Sequence, residues 1–143
     1  MDFGAGFFPI ARKDDTPLIL IGKRSSKVTY PLQYCNIGGG KEEDERPIAT
    51  AKREFSEETQ YNGKFSNIQL LNIQQKSKNQ PLYYLYICHI SYFVPVPDHE
   101  NEEIIWVTLP ELKKIKPKHF GLDMLLSDQG VMNKITKYLE DVK

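Results

Sequence analysis

The chain has 143 residues and is most informative between positions 39 and 61, which read Gly39-Gly40-Lys41-Glu42-Glu43-Asp44-Glu45-Arg46-Pro47-Ile48-Ala49-Thr50-Ala51-Lys52-Arg53-Glu54-Phe55-Ser56-Glu57-Glu58-Thr59-Gln60-Tyr61. Pro47 to about Thr59 is predicted to form a helix, and Asn62-Gly63 gives a stop or turn signal after it. Glycines therefore precede a helix that carries an unusual number of carboxylates.

Three of those carboxylates share one face of the predicted helix. Glu54, Glu57 and Glu58 stand at positions i, i+3 and i+4, a spacing that brings side chains together. Like charges placed this way destabilise a helix by about 0.2–0.5 kcal/mol per pair. A divalent cation would offset the repulsion, and Mg²⁺ and Mn²⁺ prefer hard oxygen ligands such as carboxylates. The spacing therefore indicates a metal site.

A second face of the same helix is predicted to pack on a sheet. At about 100° per residue, an apolar stripe runs beside the glutamates, and it consists of Ile48, Ala51, Phe55 and Thr59. The helix can thus bury Phe55 while its rim carries the metal site.

The glycines before the helix are expected to form a loop. Three in a row, Gly38 to Gly40, favour neither helix nor strand, and they permit unusual dihedral angles and close approach to a ligand. A backbone carbonyl there could face the same metal ions. We also expect an ion pair between Glu45 and Arg53 that ties this loop to the helix.

The rest of the chain predicts an α/β protein. Apolar and aromatic runs bounded by turn residues predict strands, at 7–12, 18–23, 34–37, 68–73, 82–92 and 104–107. Thr108 with Glu111 predicts a capped helix start, and apolar spacing from Val131 to Val142 predicts a final amphipathic helix. This order suggests helices on both faces of a mixed sheet, and the length suits one domain over residues 1–143.

Composition narrows the class of function. The 19 basic and 19 acidic residues balance, which argues against a general nucleic-acid-binding surface. No apolar run approaches the ~20 residues that a membrane span needs, and the N-terminus lacks a signal-peptide pattern. Cys35 and Cys88 are expected to be reduced, buried thiols. We therefore expect a soluble, cytoplasmic protein with no membrane partner.

Positions 39–61 resemble the signature of the Nudix (MutT-like) hydrolase superfamily. That signature is a glycine, five residues, a glutamate, seven residues, Arg-Glu, an apolar residue, any residue, Glu-Glu, any residue, glycine and an apolar residue. The positions that match in register are Gly39, Glu45, Arg53, Glu54, Phe55, Glu57 and Glu58. Gln60 and Tyr61 depart from it. Because the family glycine ends the helix in a left-handed conformation, we expect this helix to run further, to Asn62-Gly63.

The resemblance implies a fold and a chemistry. The fold would be the Nudix fold, an α/β/α sandwich around a central mixed β-sheet. The reaction would be Mg²⁺- or Mn²⁺-dependent cleavage of a phosphoanhydride in a nucleoside diphosphate linked to another group. The implied metal ligands are the carbonyl of Gly38 and the side chains of Glu45, Glu54, Glu57 and Glu58. Arg53 would orient the glutamates.

The general base and the substrate contacts stay open at this point. A signature glutamate or an acidic-loop residue could be the base, and among the loop residues Glu103 is preferred to Glu100 and Glu102. The resemblance points to substrate contacts at Arg24, Gly39, Gly40 and Glu100. Selectivity is expected in the loops at 25–33, 74–81 and 94–103, whose composition does not name the substrate.

Two alternatives remain beside the hydrolase of small nucleotides. One is a non-catalytic Nudix-like domain that binds nucleotides as a sensor, although such proteins usually lose signature glutamates. The other is an enzyme of RNA 5′ ends, for which the neutral charge gives no support. The basic run that ends at His119 is expected to be a solvated surface, and His89 a buried structural histidine. The resemblance also allows a homodimer.

Overall fold

The computed structural model describes residues 2–143, which form seven strands and four helices. The strands are β1 (Phe3–Lys13), β2 (Thr16–Arg24), β3 (Tyr34–Cys35), β4 (Ile37–Gly40), β5 (Ser66–Gln74), β6 (Leu82–His89) and β7 (Asn101–Val107). The helices are α1 (Pro47–Thr59), α2 (Leu109–Lys114), α3 (Phe120–Leu126) and α4 (Gln129–Asp141). Within residues 2–143, no helix has the length and apolarity that crossing a membrane requires.

Strand β1 lies at the centre of one mixed sheet. It runs parallel to β6 and antiparallel to both β2 and β4. One edge of β1 pairs with β4 as far as Phe7 and with β2 from Ile10 onward. Pro9 lies between these two pairings. It has no backbone N–H to donate, and at this position it breaks neither antiparallel pairing. The predicted mixed sheet is therefore confirmed.

Helices cover both faces of that sheet. On one face, Phe7 of β1 contacts Phe55 of α1 edge-on, with ring centroids 6.2 Å apart. On the other face, Phe8 of β1 belongs to a core cluster that includes Leu122 of α3 and Ile135 of α4. Burying each such side chain contributes about 1.5–3 kcal/mol. These two cores make the α/β/α sandwich, as predicted.

The glycines before α1 differ from the expectation of an irregular loop. Gly38, Gly39 and Gly40 lie in β4 and pair with Gly6, Ala5 and Gly4. No glycine within residues 2–143 has a positive φ, so unusual dihedral angles are not the reason for them. Close approach is the reason at Gly38, because a Cβ on Gly38 or on its partner Gly6 would collide with the hydroxyl of Tyr83.

Helix α1 ends earlier than expected. It stops at Thr59, and Gln60 adopts the left-handed conformation at φ 66° and ψ 19°, with its N–H bonded to the Ser56 carbonyl. The prediction that the helix continues to Asn62-Gly63 is wrong. Tyr61 explains the outcome, since it is buried and packs on Phe55 with ring centroids 5.6 Å apart. Burial of this ring outweighs the strain at Gln60.

The stripe predicted for α1 is only partly correct. Ala51, Phe55 and Thr59 are buried, but Ile48 is 40% exposed. Ile48 lies in the first turn of the helix, next to the entering chain. Glu58, placed beside the stripe by periodicity, is instead buried. The burial of this carboxylate is the feature of the fold that bears most directly on function.

Candidate active site

A carboxylate of α1 lies directly on β4, which we call the glycine strand because it contains Gly38, Gly39 and Gly40. A Cβ on Gly39 would stand 2.5 Å from Oε2 of Glu54. Only a residue without a side chain lets the strand and the carboxylate approach this closely. Strand β4 and helix α1 thus bring backbone groups and an acidic side chain to one place.

Three carboxylates converge there. Glu54, Glu58 and Glu100 each offer an oxygen, and these oxygens lie within 4.8 Å of one another. Glu58 is 4% exposed, and its Oε1 accepts a hydrogen bond of 3.0 Å from Nδ2 of Asn101. Its Oε2 is buried and has no hydrogen-bond partner among residues 2–143. We call Glu54, Glu58 and Glu100 the acidic cluster.

The electrostatics of the acidic cluster favour a cation. Burial raises the pKa of Glu58 to about 9, opposed by the Asn101 hydrogen bond and increased further by Glu100. Burial is also the largest cause of the raised pKa of Glu54. A buried carboxylate oxygen without a donor is costly unless it meets positive charge. The donor set consists of hard oxygens, so the residues present fit Mg²⁺ or Mn²⁺.

Arg53 connects the elements around the cluster. Its Nε donates to Oε2 of Glu45 at 2.7 Å, and one terminal nitrogen donates to Oε1 of Glu45 and to the Gly40 carbonyl, both at 2.9 Å. The other terminal nitrogen donates to Glu54 at 3.0 Å and to Glu57 at 3.2 Å. The expected Glu45–Arg53 ion pair is confirmed, and it lowers the pKa of Glu45 to about 2.

The remaining predicted acids are not members of the acidic cluster. Both oxygens of Glu45 are engaged by Arg53, and Glu57 is held at the rim with its side chain 55% exposed. Glu103 lies on β7 and accepts a hydrogen bond of 3.3 Å from the Tyr34 hydroxyl. Their roles as ligands or base stay predictions. Glu100, predicted as a substrate contact, is the loop acid that joins the cluster.

A cavity of about 510 Å³ opens beside β4. The residues predicted to contact substrate that line it are Arg24, Gly39 and Gly40, together with Gly38. Arg24 is anchored by Thr29, whose carbonyl accepts from Nε at 2.5 Å and whose hydroxyl lies 3.2 Å from a terminal nitrogen. Two loops expected to set selectivity, 25–33 and 74–81, contribute further walls. The cavity therefore adjoins the acidic cluster through the glycine strand.

Sequence reasoning missed several residues of this site. His119 was expected on a solvated surface, but it lines the cavity and caps α3, its Nδ1 accepting from the Gly121 N–H at 3.1 Å. Tyr30 and Phe120 line the same cavity. No local signal distinguishes these rings from core aromatics. Asn101 gave no signal either, because its role depends on contact with Glu58, 43 positions away.

Comparisons with known proteins identify the family and the fold. The sequence model of the NUDIX domain matches residues 3–127. Comparison with curated protein sequences gives no match. Among solved structures, a Nudix hydrolase from M. smegmatis, RenU, has a TM-score of 0.74 at 15% identity, covering 94% of this chain and 85% of that one.

Two further structures are similar over 87% or more of their length. A C. elegans Ap4A hydrolase in a binary complex has a TM-score of 0.73 at 14% identity, with 98% of each chain covered. The NUDIX domain of Shewanella oneidensis NrtR, complexed with ADP ribose, has a TM-score of 0.69 at 16% identity, covering 93% of this chain and 87% of that one. Identities this low establish the shared fold.

Proposed function

Because the chain belongs to the Nudix hydrolase family, whose members act on pyrophosphate bonds, we propose that it cleaves the phosphoanhydride of a nucleoside diphosphate linked to another group. We propose Mg²⁺ or Mn²⁺ as the cofactor. The observation that carries this proposal is the buried, unpartnered Oε2 of Glu58, which lies within the acidic cluster beside the glycine strand.

The residues that would hold the cation are the two acids that the acidic cluster takes from α1, Glu54 and Glu58. Glu100, from the loop before β7, lies next to them and is the candidate base. Glu57 and the Gly38 carbonyl are further candidates that the family signature implies. A bound cation would neutralise phosphate oxygens, which a site made of carboxylates alone would repel, and would lower the pKa of water.

The chain's own side chains would orient the reaction. One terminal nitrogen of Arg53 donates to Glu54 and Glu57, and the other donates to the Gly40 carbonyl. These bonds hold helix α1 and strand β4 at a fixed distance. Preorganised groups of this kind avoid reorganisation during the reaction. The cavity beside Gly38–Gly40 would take the nucleotide, and Gly39, which lines this cavity, also lies against the carboxylate of Glu54.

A carboxylate would accept the proton of the attacking water. Position favours Glu100, since its oxygen lies in the acidic cluster, whereas Glu103 lies outside it and meets Tyr34. The kinetic distinction is direct. Glu100→Gln is expected to lower kcat by 10²–10⁴-fold, about the contribution of general base catalysis. Glu103→Gln is expected to leave kcat within about threefold of wild type.

The test of the proposed function is turnover on a panel of nucleotide derivatives with Mg²⁺ and with Mn²⁺, products resolved by mass. We expect metal-dependent cleavage that Glu57→Gln and Glu58→Gln abolish. Glu140→Gln, on the exposed face of α4, is the matched control and should retain full activity. Tight nucleotide binding without turnover of any substrate would overturn the proposal in favour of a non-catalytic sensor. Preference for oligonucleotides, lost at moderate salt, would favour an RNA enzyme.

A further inference from the structure

Three aromatic rings from two distant parts of the chain meet in the cavity. Tyr30 lies edge-on to His119, with centroids 4.5 Å apart and planes at 82°, and its ring is 5.7 Å from that of Phe120. His119 and Phe120 lie 4.3 Å apart at 34°. We call Tyr30, His119 and Phe120 the aromatic cradle.

The aromatic cradle is open on one side. Phe120 remains 36% exposed although its ring lines a cavity. Apolar surface of this kind is costly to hydrate, and a flat apolar group laid on it would remove that surface from water. Tyr30 has a positive φ of 51°, a strained conformation for a tyrosine that the surrounding loop maintains. Rings that only filled a core would be covered by other side chains.

Positive charge surrounds the cradle. Nζ of Lys76 lies 5.2 Å from the Tyr30 ring centroid and 5.9 Å from that of Phe120. Arg24, held by Thr29, lines the same cavity. Within the described part of the cavity wall, Arg24, Lys41 and Lys76 are the cations and Asp2 is the only carboxylate. These cations favour the binding of an anion in the cavity. This attraction adds to that of a metal ion bound at the acidic cluster.

The acidic cluster and the cavity that holds the cradle both adjoin β4. Gly38, Gly39 and Gly40 line the cavity, and Gly39 also contacts the carboxylate of Glu54. One substrate can therefore have its aromatic end in the cradle and its scissile bond near the glutamates. Such a substrate must carry a flat ring and negative charge on the same end.

We propose that the aromatic cradle binds the nucleobase of the substrate while Arg24 and Lys76 bind its phosphate chain, so that the enzyme selects base-bearing polyphosphates over nucleoside diphosphate sugars. This inference rests on the proposed function, because it assigns the substrate class of that site. A neutral sugar gains nothing from the two cations. A longer phosphate chain meets them in addition to the metal site, and charge-assisted contacts to phosphate are the strong ones.

The proposal is tested by equilibrium binding in EDTA, measured by calorimetry on the full chain, which needs neither metal nor turnover. The probes are ATP, GTP, ADP, adenosine, ADP-ribose and inorganic tripolyphosphate. ATP or GTP should bind at least about tenfold more tightly than adenosine and than tripolyphosphate, since base stacking and charge then act together. ADP-ribose should bind no more tightly than ADP.

Variants separate the two halves of the subsite. Phe120→Ala should weaken binding of the nucleoside triphosphate about tenfold, within the range of one base–aromatic stack. It should leave the affinity for tripolyphosphate unchanged. Lys76→Gln should weaken the binding of both the nucleoside triphosphate and tripolyphosphate. Met124→Ala, an exposed apolar residue of the same helix, and Lys137→Gln, an exposed cation of α4, are the matched controls. Circular dichroism confirms that each variant is folded.

The outcomes distinguish this inference from the proposed function. Unchanged triphosphate affinity in both Phe120→Ala and Lys76→Gln would overturn the cradle, even if the enzyme turns over nucleotides. Loss of cradle binding in those variants would support it, even if the substrate panel finds no turnover. ADP-ribose binding more tightly than ATP or GTP would contradict the selection of polyphosphates.

Discussion

Asn101 holds Glu58 by a buried hydrogen bond, its Nδ2 donating to Oε1 at 3.0 Å, so that the other oxygen of Glu58 is left for the acidic cluster. The contact joins the first residue of β7 to the last turn of α1. It also accounts for Gly22 of β2, where a Cβ would stand 2.5 Å from Oδ1 of Asn101. Three elements therefore fix which carboxylate oxygen of Glu58 is available to a cation.

Replacing Asn101 should loosen the metal site without removing a ligand. Asn101→Ala frees Glu58 to rotate, and loss of a hydrogen bond to a ligand typically costs 10–100-fold in metal affinity. We expect Mn²⁺ affinity, measured by electron paramagnetic resonance, to fall by at least about tenfold. The control is Asn133→Ala, which removes an exposed side-chain hydrogen bond from Gln129 on α4. This variant should bind Mn²⁺ as wild type does. Equal affinities in the two variants would contradict the positioning role.

The raised pKa of Glu58 predicts how stability depends on pH in the metal-free protein. Burial raises that pKa from its ordinary 4.5 to about 9, so the folded state binds the proton more tightly than the unfolded state. The stabilisation is fully present below pH 4.5 and is lost as the pH rises toward 9. We expect the Tm in EDTA to fall across this window.

The matched variant for that experiment is Glu58→Gln, which keeps the shape of the side chain and removes its titration. Its Tm should change less with pH between 4.5 and 9 than that of wild type. Mg²⁺ at pH 9 should raise the Tm of wild type more than that of Glu58→Gln, because binding to the folded state stabilises it. Parallel pH profiles for the two proteins would show that Glu58 is not the group responsible.

The parts of the fold and site that follow local rules could be predicted from the sequence. Helix α1 and the shared face of its glutamates follow from spacing, and the capping box of Thr108 and Glu111 follows from two residues three positions apart. Pairing of Arg53 with Glu45 was also within reach, since the loop and helix are adjacent. Local periodicity and turn chemistry carry this information directly.

The remaining parts depend on contacts between distant segments. Gln60 ends α1 against its own preference because Tyr61 is drawn into a cluster with Phe65 and Phe93, and no window around Gln60 reports that burial. Gly38 is expected in a loop because the reason for it is Tyr83, 45 positions away, whose hydroxyl needs the space that a Cβ would fill. Tyr30 and His119 are 89 positions apart, and their rings meet only in the folded chain.

Replacement of Arg53, even by lysine, is expected to impair stability and activity. Lysine cannot reproduce the fork that contacts both oxygens of Glu45 and the Gly40 carbonyl at once. Arg53→Lys should lower the free energy of unfolding by about 2 kcal/mol, the scale of hydrogen bonds to charged groups in a mostly buried setting. It should also lower kcat/KM at least about tenfold, because Glu54 and Glu57 lose their common donor. Urea unfolding and steady-state kinetics measure the two effects, with the exposed Arg46→Lys as the control.

Adjacent glycines of β4 allow a sharp test of the close approach between strand and helix. A Cβ on Gly39 would fall among the carboxylate atoms of Glu54, whereas a Cβ on Gly40 meets nothing within 4 Å. Neither glycine has a positive φ, so alanine brings no backbone strain at either position. Gly39→Ala should therefore displace Glu54 and weaken Mn²⁺ binding and kcat by at least about tenfold, while Gly40→Ala stays near wild type. Thermal melts report whether Gly39→Ala remains folded, and its crystal structure with Glu54 in place would contradict the expectation.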